Sequence, residues 1–164
     1  MTARRSLELV AEPGEPTIVM TRIFDAPSRL VFDAHTKREH LMRWWTGCDE
    51  MTMTVCEVDL RVGGAYRYVL RMPQGHEFGF HGTYREIVPP TRLVTTLVYE
   101  PVPDNEAIVT LVLEERDGAT RLTSTTTHST VAARDAHVAS GMETGAAQSL
   151  DRLAALLRTL EEAR

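Results

Sequence analysis

The chain has 164 residues, and two hydrophobic cores in so short a chain would each fall near the lower size limit, so we expect a single domain. Hydrophobic residues at 43% and charged residues at 25% are typical of globular proteins and exclude collagen-like or largely disordered chains. The formal net charge of −5 gives no overall attraction to nucleic acid or to anionic lipid, so neither is expected as a partner.

Cysteine content and the N-terminal sequence favour a cytoplasmic protein. The two cysteines, Cys48 and Cys56, are fewer than a secreted disulfide-stabilised domain of this size normally carries. No segment approaches the roughly 18 apolar residues of a membrane-spanning helix, and no apolar region follows the arginines near the N-terminus. We therefore predict a cytoplasmic location and no membrane span.

The first predicted element is a strand that follows an N-terminal arm. Residues 1–16 lack periodicity and contain two prolines and a glycine, so we expect them to form an arm. Residues 17–24 are rich in β-branched side chains, which predicts a strand. The domain itself is predicted to extend over 17–164.

Two short helices are predicted after this strand. Pro27 favours the first turn of a helix over about residues 28–35, because its fixed φ suits that position. Thr36 and Glu39 have the spacing of a capping box, in which each side chain satisfies a free backbone N–H group. This pattern predicts the start of a second helix.

From about residue 51 the hydrophobic pattern has a period of two, which predicts a sheet. Short turn-forming segments separate consecutive strands, and such short connections imply an antiparallel meander. The six predicted strands are 51–59, 64–72, 76–88, 92–100, 107–115 and 119–128.

After Val131 the period becomes helical. Ser140 and Glu143 repeat the capping-box spacing, and apolar residues then recur every three or four positions to about residue 160. A helix of this length needs an apolar surface to pack on, and the concave face of the sheet provides one. The predicted fold is therefore α+β, with a curved antiparallel sheet of about seven strands wrapped around a long C-terminal helix.

The inward-facing positions of the sheet contain polar groups where a dry core would prefer aliphatic side chains. Three tyrosines add hydroxyls to apolar rings, and the last strand adds two hydroxyls and an imidazole. Such sparse polar groups are typical of a small-molecule site, although hydroxyls bonded to one another or to buried water would give the same pattern. The residues concerned are Tyr66, Tyr68, Tyr99, Ser124, Thr126 and His128.

Sequence motifs for phosphate, zinc and nucleophilic chemistry are missing. The sequence has no GxGxxG, no P-loop, no CxxC, no HExxH and no GxSxG. His76 and His81 resemble a metal-binding pair, but alternation along a strand places them on opposite faces. We therefore predict no metal and no cofactor.

Several motifs, in this order along the chain, resemble a known family. They are the Trp44–Trp45 pair, Asp59-x-Arg61-x-Gly63-Gly64, Gly82-x-Tyr84-x-Glu86-Ile87-x-Pro89-Pro90 and the terminal segment 141–157. Over about residues 17–162 the sequence is similar to the activator of heat-shock protein 90 ATPase homologue family of the START-like (SRPBCC) superfamily. The resemblance implies a helix-grip fold with a cavity between the sheet and the C-terminal helix, which in many relatives holds an apolar or aromatic molecule.

One departure from the family affects the predicted cavity. Many relatives carry tryptophan after the glycine of the terminal helix, whereas Gly145 is followed here by Ala146, so we expect a larger or more open cavity near Ala146. At least one of Trp44 and Trp45 is expected to pack the two short helices against the sheet, and the other is expected to gate the cavity. The predicted ligand contacts are Trp45, Tyr66, Tyr68, Leu97, Tyr99, Leu111, Ser124, Thr126, His128, Met142, Ala146 and Leu150.

Three functions are compatible with this fold. The first is non-enzymatic binding of a small apolar or aromatic molecule, which the polar groups of the inner face and Ala146 favour. The second is a cyclase-like or hydrolase-like enzyme acting on a polyketide-type ligand, with His128 and Tyr66 as the candidate acid–base residues. The third is a co-chaperone-like interaction module in the stress response, with a chaperone as partner. The sequence is also compatible with a homodimer, because a second copy of the chain could cover the edge strands of the sheet.

Overall fold

Twelve elements of secondary structure are formed within residues 6–163, the part of the chain that the computed structural model describes. The strands are β1 (Glu8–Val10), β2 (Thr17–Phe24), β3 (Thr52–Val58), β4 (Ala65–Arg71), β5 (Glu77–Val88), β6 (Arg92–Tyr99), β7 (Ala107–Arg116) and β8 (Ala119–Thr127). The helices are α1 (Ser28–Thr36), α2 (Arg38–Trp44), α3 (Val131–Ala139) and α4 (Met142–Glu162).

The strands form one antiparallel sheet in the order β1-β2-β8-β7-β6-β5-β4-β3. Strands β3 to β8 form the predicted meander. Strand β2 pairs with β8, so a strand from the N-terminal part of the chain lies beside the last strand of the meander. Register shifts in β3 and β5 mark bulges, which bend and twist a sheet. The curved sheet and long C-terminal helix confirm the predicted helix-grip fold.

The sheet has eight strands instead of the predicted seven. The additional strand lies in the predicted arm 1–16, where Glu8–Val10 pairs with β2. Three residues can pair through their backbone N–H and C=O groups without any side-chain periodicity, so the hydrophobic pattern did not reveal this strand. Residues 1–5 of the arm and residue 164 lie outside the described part of the chain.

Neither predicted capping box forms. The Thr36 hydroxyl donates to Phe32 O at 3.0 Å inside α1, and α2 begins without a side-chain cap. The Ser140 hydroxyl likewise donates backward, to His137 O, because a separate and unpredicted helix, α3, precedes α4. Helix α4 then begins after Gly141, whose φ of 82° lies in the left-handed region that suits glycine. Hydroxyls near helix ends bond backward to carbonyls as well as forward to N–H groups, which accounts for both errors.

The core lies between the concave face of the sheet and helices α1, α2 and α4. Leu153 and Leu157 of α4 are fully buried, and Trp44 at the end of α2 donates its indole N–H to Ala34 O at 2.8 Å. Towards its N-terminus α4 is less covered, and Met142 and Ala146 are only half-buried. The apolar packing is therefore tightest at the C-terminal half of α4.

An arginine from α2 covers part of one sheet edge. Strand β3 is the last strand of the sheet, so one side of it has no strand partner. Arg38 Nε donates to Cys56 O of β3 at 2.9 Å. A carbonyl that would otherwise face outward from the edge is thereby hydrogen-bonded.

Within residues 6–163, none of the helices combines the length and apolar character needed to cross a membrane.

Candidate functional site

A continuous row of aromatic side chains crosses the concave face of β4, β5 and β6. Neighbouring ring centroids along it are 4.9 to 6.1 Å apart, within the range of favourable ring contacts. Trp45, at the C-terminal end of α2, joins the tyrosines of β4 to the phenylalanines of β5. This aromatic row consists of Tyr84, Tyr66, Tyr68, Trp45, Phe80, Phe78 and Tyr99.

The aromatic row runs from the core to the surface. Tyr84 is only 2% exposed, Trp45 and Phe80 are half-buried, and Tyr99 is 40% exposed. The last rings of the row therefore present apolar surface that the chain itself leaves partly uncovered. An aromatic surface on a concave face is typical of small-molecule sites.

The buried tyrosines are neutral hydrogen-bonding groups. The Tyr66 hydroxyl donates to Thr96 O, whereas the Tyr84 hydroxyl is buried without a hydrogen-bond partner. Burial raises the pKa of Tyr84 to about 12 and raises the pKa values of Tyr66 and Tyr68 as well. All three phenols therefore keep their protons at neutral pH, and a phenolate base is strongly disfavoured there.

The other predicted contacts on the sheet form a second group, on β6, β7 and β8. Leu111 pairs with Ser124 across the β7–β8 ladder, and Val109 pairs with Thr126. Ser124 and Thr126 are buried, and Leu97 is half-buried. The structure thus brings four predicted residues into the aromatic row and places Leu97, Leu111, Ser124 and Thr126 on neighbouring strands of the same sheet.

A polar clamp holds the segment after Trp45 against α4. Gly47 N–H donates to Ser149 Oγ at 2.9 Å, and Ser149 Oγ donates back to Gly47 O at 3.2 Å. Arg152 also donates to Gly47 O and forms an ion pair with Asp49. Because Trp45 is two residues from Gly47, the clamp fixes the position of its ring relative to α4.

His128 makes its contact with α3 and not with the aromatic row. Its Nε2 lies 3.0 Å from Nδ1 of His137, and its own Nδ1 is buried without a hydrogen-bond partner. Beside it, the buried Arg134 of α3 donates to Thr17 O at 3.0 Å. Burial and the charge of Arg134 lower the pKa of His128. The imidazole is therefore part of the attachment of α3 to the sheet.

Acid is expected to destabilise the fold between pH 6.5 and 4. Burial lowers the pKa values of both His35 and His137 to about 4, so in this window the unfolded chain binds more protons than the folded chain. The contribution of the two neutral imidazoles to the free energy of unfolding is fully present above pH 6.5. It is lost as the pH falls towards 4, by up to about 3 kcal/mol for each imidazole. Urea unfolding at a series of pH values measures this slope.

The matched controls for this prediction are His35→Asn and His137→Asn, which remove the titrating groups. Asparagine can still donate to Val31 O, which His35 Nδ1 contacts at 2.8 Å. The double variant is expected to lose most of the pH dependence between 6.5 and 4. An unchanged slope in that variant would contradict the assignment.

Two cavities lie away from the aromatic row. The first, of about 230 Å³, is lined by Glu8, Thr21, Ile23 and Arg121 on the opposite face of the sheet. The second, of about 720 Å³, shares Ile23 and Arg121 and extends along the β7–β8 hairpin. No predicted ligand contact lines either cavity. Within residues 6–163, no group of three or more histidine, cysteine or acidic side chains is arranged to hold a metal ion.

Comparison with known proteins assigns the family. The family described as "Activator of Hsp90 ATPase homolog 1-like protein" matches residues 25–158, which is most of the chain. The chain belongs to this family. The AHSA1-like family is part of the START-like (SRPBCC) superfamily, as the sequence motifs indicated, and its helix-grip fold agrees with the architecture described above.

Solved structures of AHSA1-like proteins and their relatives superpose closely on this chain. A Rhodobacter sphaeroides protein is 28% identical with a TM-score of 0.86, covering 94% of this chain and 99% of its own. A Staphylococcus epidermidis protein is 30% identical with a TM-score of 0.77, covering 90% and 93%. The AHSA1 protein of Silicibacter pomeroyi shares the fold at 21% identity, with a TM-score of 0.71 and coverage of 87% and 98%. No curated protein matches the sequence significantly.

Three members of the aromatic row were not among the predicted contacts. Phe78, Phe80 and Tyr84 alternate along β5 and share a face, because Phe80 pairs with both Tyr68 and Tyr99. The signal was present in the sequence, since these rings recur at every second or fourth position opposite the tyrosines of β4.

Proposed function

We propose that this AHSA1-like protein binds a small, flat, largely apolar aromatic molecule against the outer end of the aromatic row, beneath the N-terminal half of α4. The observation that carries the proposal is the partial exposure of Trp45, Phe78, Phe80 and Tyr99, which continue directly from buried rings. Partly exposed rings on a concave face lose water contact when a flat molecule covers them, which is favourable.

The geometry of the row favours an aromatic ligand. The Phe80 ring lies edge-on to Trp45, with an interplanar angle of 79° and centroids 5.1 Å apart. A flat guest can therefore stack on one ring while its edge faces another. Ring pairs of this kind contribute about 0.5–1.5 kcal/mol beyond the burial of their area.

The polar groups near the row support binding more than catalysis. The hydroxyl of Tyr66 is bonded to a backbone carbonyl, and His128 contacts His137 on α3. The proton of the Tyr66 hydroxyl is thus donated to a carbonyl, and Nε2 of His128 is directed at α3. A non-enzymatic role therefore agrees better with these contacts than the cyclase-like alternative.

A protein-interaction role is the second candidate, and exposed apolar residues at one end of the sheet favour it. Leu60 and Val62 of the β3–β4 loop and Val88 at the end of β5 are exposed. The loop is held against β5 by a hydrogen bond from Gly63 N–H to Tyr84 O at 2.8 Å. A stimulated chaperone ATPase rate that falls in Val62→Ser would support this candidate.

The proposed site is tested by filling it with a side chain. Ala146→Trp places an indole on the half-buried part of α4, and we expect it to weaken binding of 2-naphthol or flavone by at least about tenfold, because the guest and the indole compete for space. Phe80→Ala is expected to weaken binding by removing the ring that contacts Trp45. Isothermal titration calorimetry measures both effects.

Ala155→Trp is the matched control, since Ala155 is on the same helix and exposed. It is expected to bind as tightly as the wild type. The proposal fails if neutral aromatic compounds show no saturable binding to the wild type, or if the substitutions at 146 and 155 have equal effects.

A further inference from the structure

Arg22 is a buried cation on the concave face. It lies in the middle of β2, opposite the buried Leu122 of β8, and its side chain is only 9% exposed. Removing a guanidinium from water costs several kcal/mol unless its donors are satisfied. A buried arginine with incomplete hydrogen bonding therefore needs an explanation.

The partners of Arg22 satisfy only part of the guanidinium. Nη1 donates to Asp151 Oδ1 of α4 at 2.6 Å, but the Asp151 side chain is 70% exposed, so solvent screens this ion pair. Nε is buried without a hydrogen-bond partner. The guanidinium also lies over the ring of Phe24, with 5.3 Å between the Cζ atom and the ring centroid.

The unused donor belongs to the edge of the guanidinium that recognises carboxylates. Nε–H and the adjacent Nη–H point in parallel and bind both oxygens of a carboxylate at once. Nε is the buried, unpartnered member of this edge, whereas Asp151 is held by Nη1. We propose that Arg22 binds the carboxylate of the ligand, so that the ligand is an apolar or aromatic carboxylic acid; this inference rests on the proposed function.

The surroundings of Arg22 suit an acid with an apolar body. Met20, the next inward-facing residue of β2, and Leu7 are half-buried, and Leu122 is buried. Four strand spacings separate β2 from β5, which is roughly 19 Å along the sheet. An elongated acid can place its carboxylate at Arg22 and extend its apolar part beneath α4 towards the aromatic row.

Pairs of ligands that differ only in the head group test this inference. Dodecanoate is compared with dodecanamide, and 8-(2-naphthyl)octanoate, which is long enough to join Arg22 to the aromatic row, with its amide, by isothermal titration calorimetry at pH 7.5. We expect each acid to bind the wild type at least about tenfold more tightly than its amide. Octanoate and hexadecanoate extend the series, and affinity is expected to rise with length.

Variants separate recognition of the acid from stability. Arg22→Met is expected to abolish the preference for acids while amides still bind. Asp151→Asn is expected to strengthen acid binding several-fold, because it removes the negative charge that lies beside the guanidinium and repels a second carboxylate. Glu162→Gln, an exposed charge change on the same helix, is the control. Circular dichroism checks that each variant folds. If Arg22→Met does not fold, the effect of Asp151→Asn on acid binding tests the role of Arg22.

The possible failures are distinguishable. If acids and amides bind the wild type equally, or if Asp151→Asn leaves the preference unchanged, the role of Arg22 is overturned while the proposed function stands. If neither acids nor amides bind, the proposed function itself is overturned.

Discussion

Replacing Gly82 by alanine is expected to destabilise the protein by about 4 kcal/mol or more, which is a large fraction of the roughly 5–15 kcal/mol that stabilises a typical domain. A Cβ atom at this position would lie 2.0 Å from Thr96 O and 2.7 Å from the Tyr66 hydroxyl oxygen. Gly82 lies in β5, between β4 and β6, and its neighbours cannot withdraw without breaking the ladders on both sides. The change also removes the space in which Tyr66 reaches the Thr96 carbonyl.

Gly145→Ala is the matched control for this prediction. The nearest atom to an added Cβ is 3.8 Å away, an ordinary contact, and Gly145 lies inside α4. Alanine is favoured over glycine in a helix, so we expect a gain of about 0.5–1 kcal/mol. Urea unfolding followed by circular dichroism measures both variants. A loss below 1 kcal/mol for Gly82→Ala would show that β5 and β6 separate more easily than the structure indicates.

Leu153→Ala is expected to give the second large effect, a loss of about 3–5 kcal/mol and roughly 10 °C in the melting temperature. Leu153 is 0% exposed and lies in the tightly packed half of α4. The truncated side chain leaves a cavity that is lined by apolar groups and stays dry. We therefore also expect the variant to bind benzene, with a rise in melting temperature that the wild type does not show.

The control for Leu153→Ala is Leu160→Ala, on the same helix but half-buried. Its loss is expected to be smaller, and benzene is expected to have no effect on it. If the two variants lose equal stability, the packing of α4 is more uniform than its burial pattern indicates.

Most of the fold was predictable because its signals are local. Strands β3 to β8 begin and end within two residues of their predicted limits, since period-two patterning and glycine or proline turns mark each of them. Helix α3 was not predicted as a separate element. It is attached mainly through Arg134 and the contact between His128 and His137, and its apolar stripe is narrow.

The site was predictable only in part, because half of it depends on contacts between distant segments. The tyrosines of the inner face follow from strand alternation, and Phe80 could have been found in the same way. The contact between Arg22 and Asp151 joins residues 129 positions apart, and the clamp between Gly47 and Ser149 joins residues 102 positions apart. No spacing in the sequence indicates such pairs, which arise only when the sheet has curved around α4.

The bond from Arg38 to the carbonyl of Cys56 occupies a hydrogen-bond acceptor on the last strand of the sheet. An unprotected strand at the end of a sheet is a template on which other chains polymerise into fibrils. A chain approaching β3 would have to displace a charged guanidinium that already occupies one of the acceptors it needs. We therefore expect a residue of the neighbouring helix to hinder fibril growth at this end of the molecule.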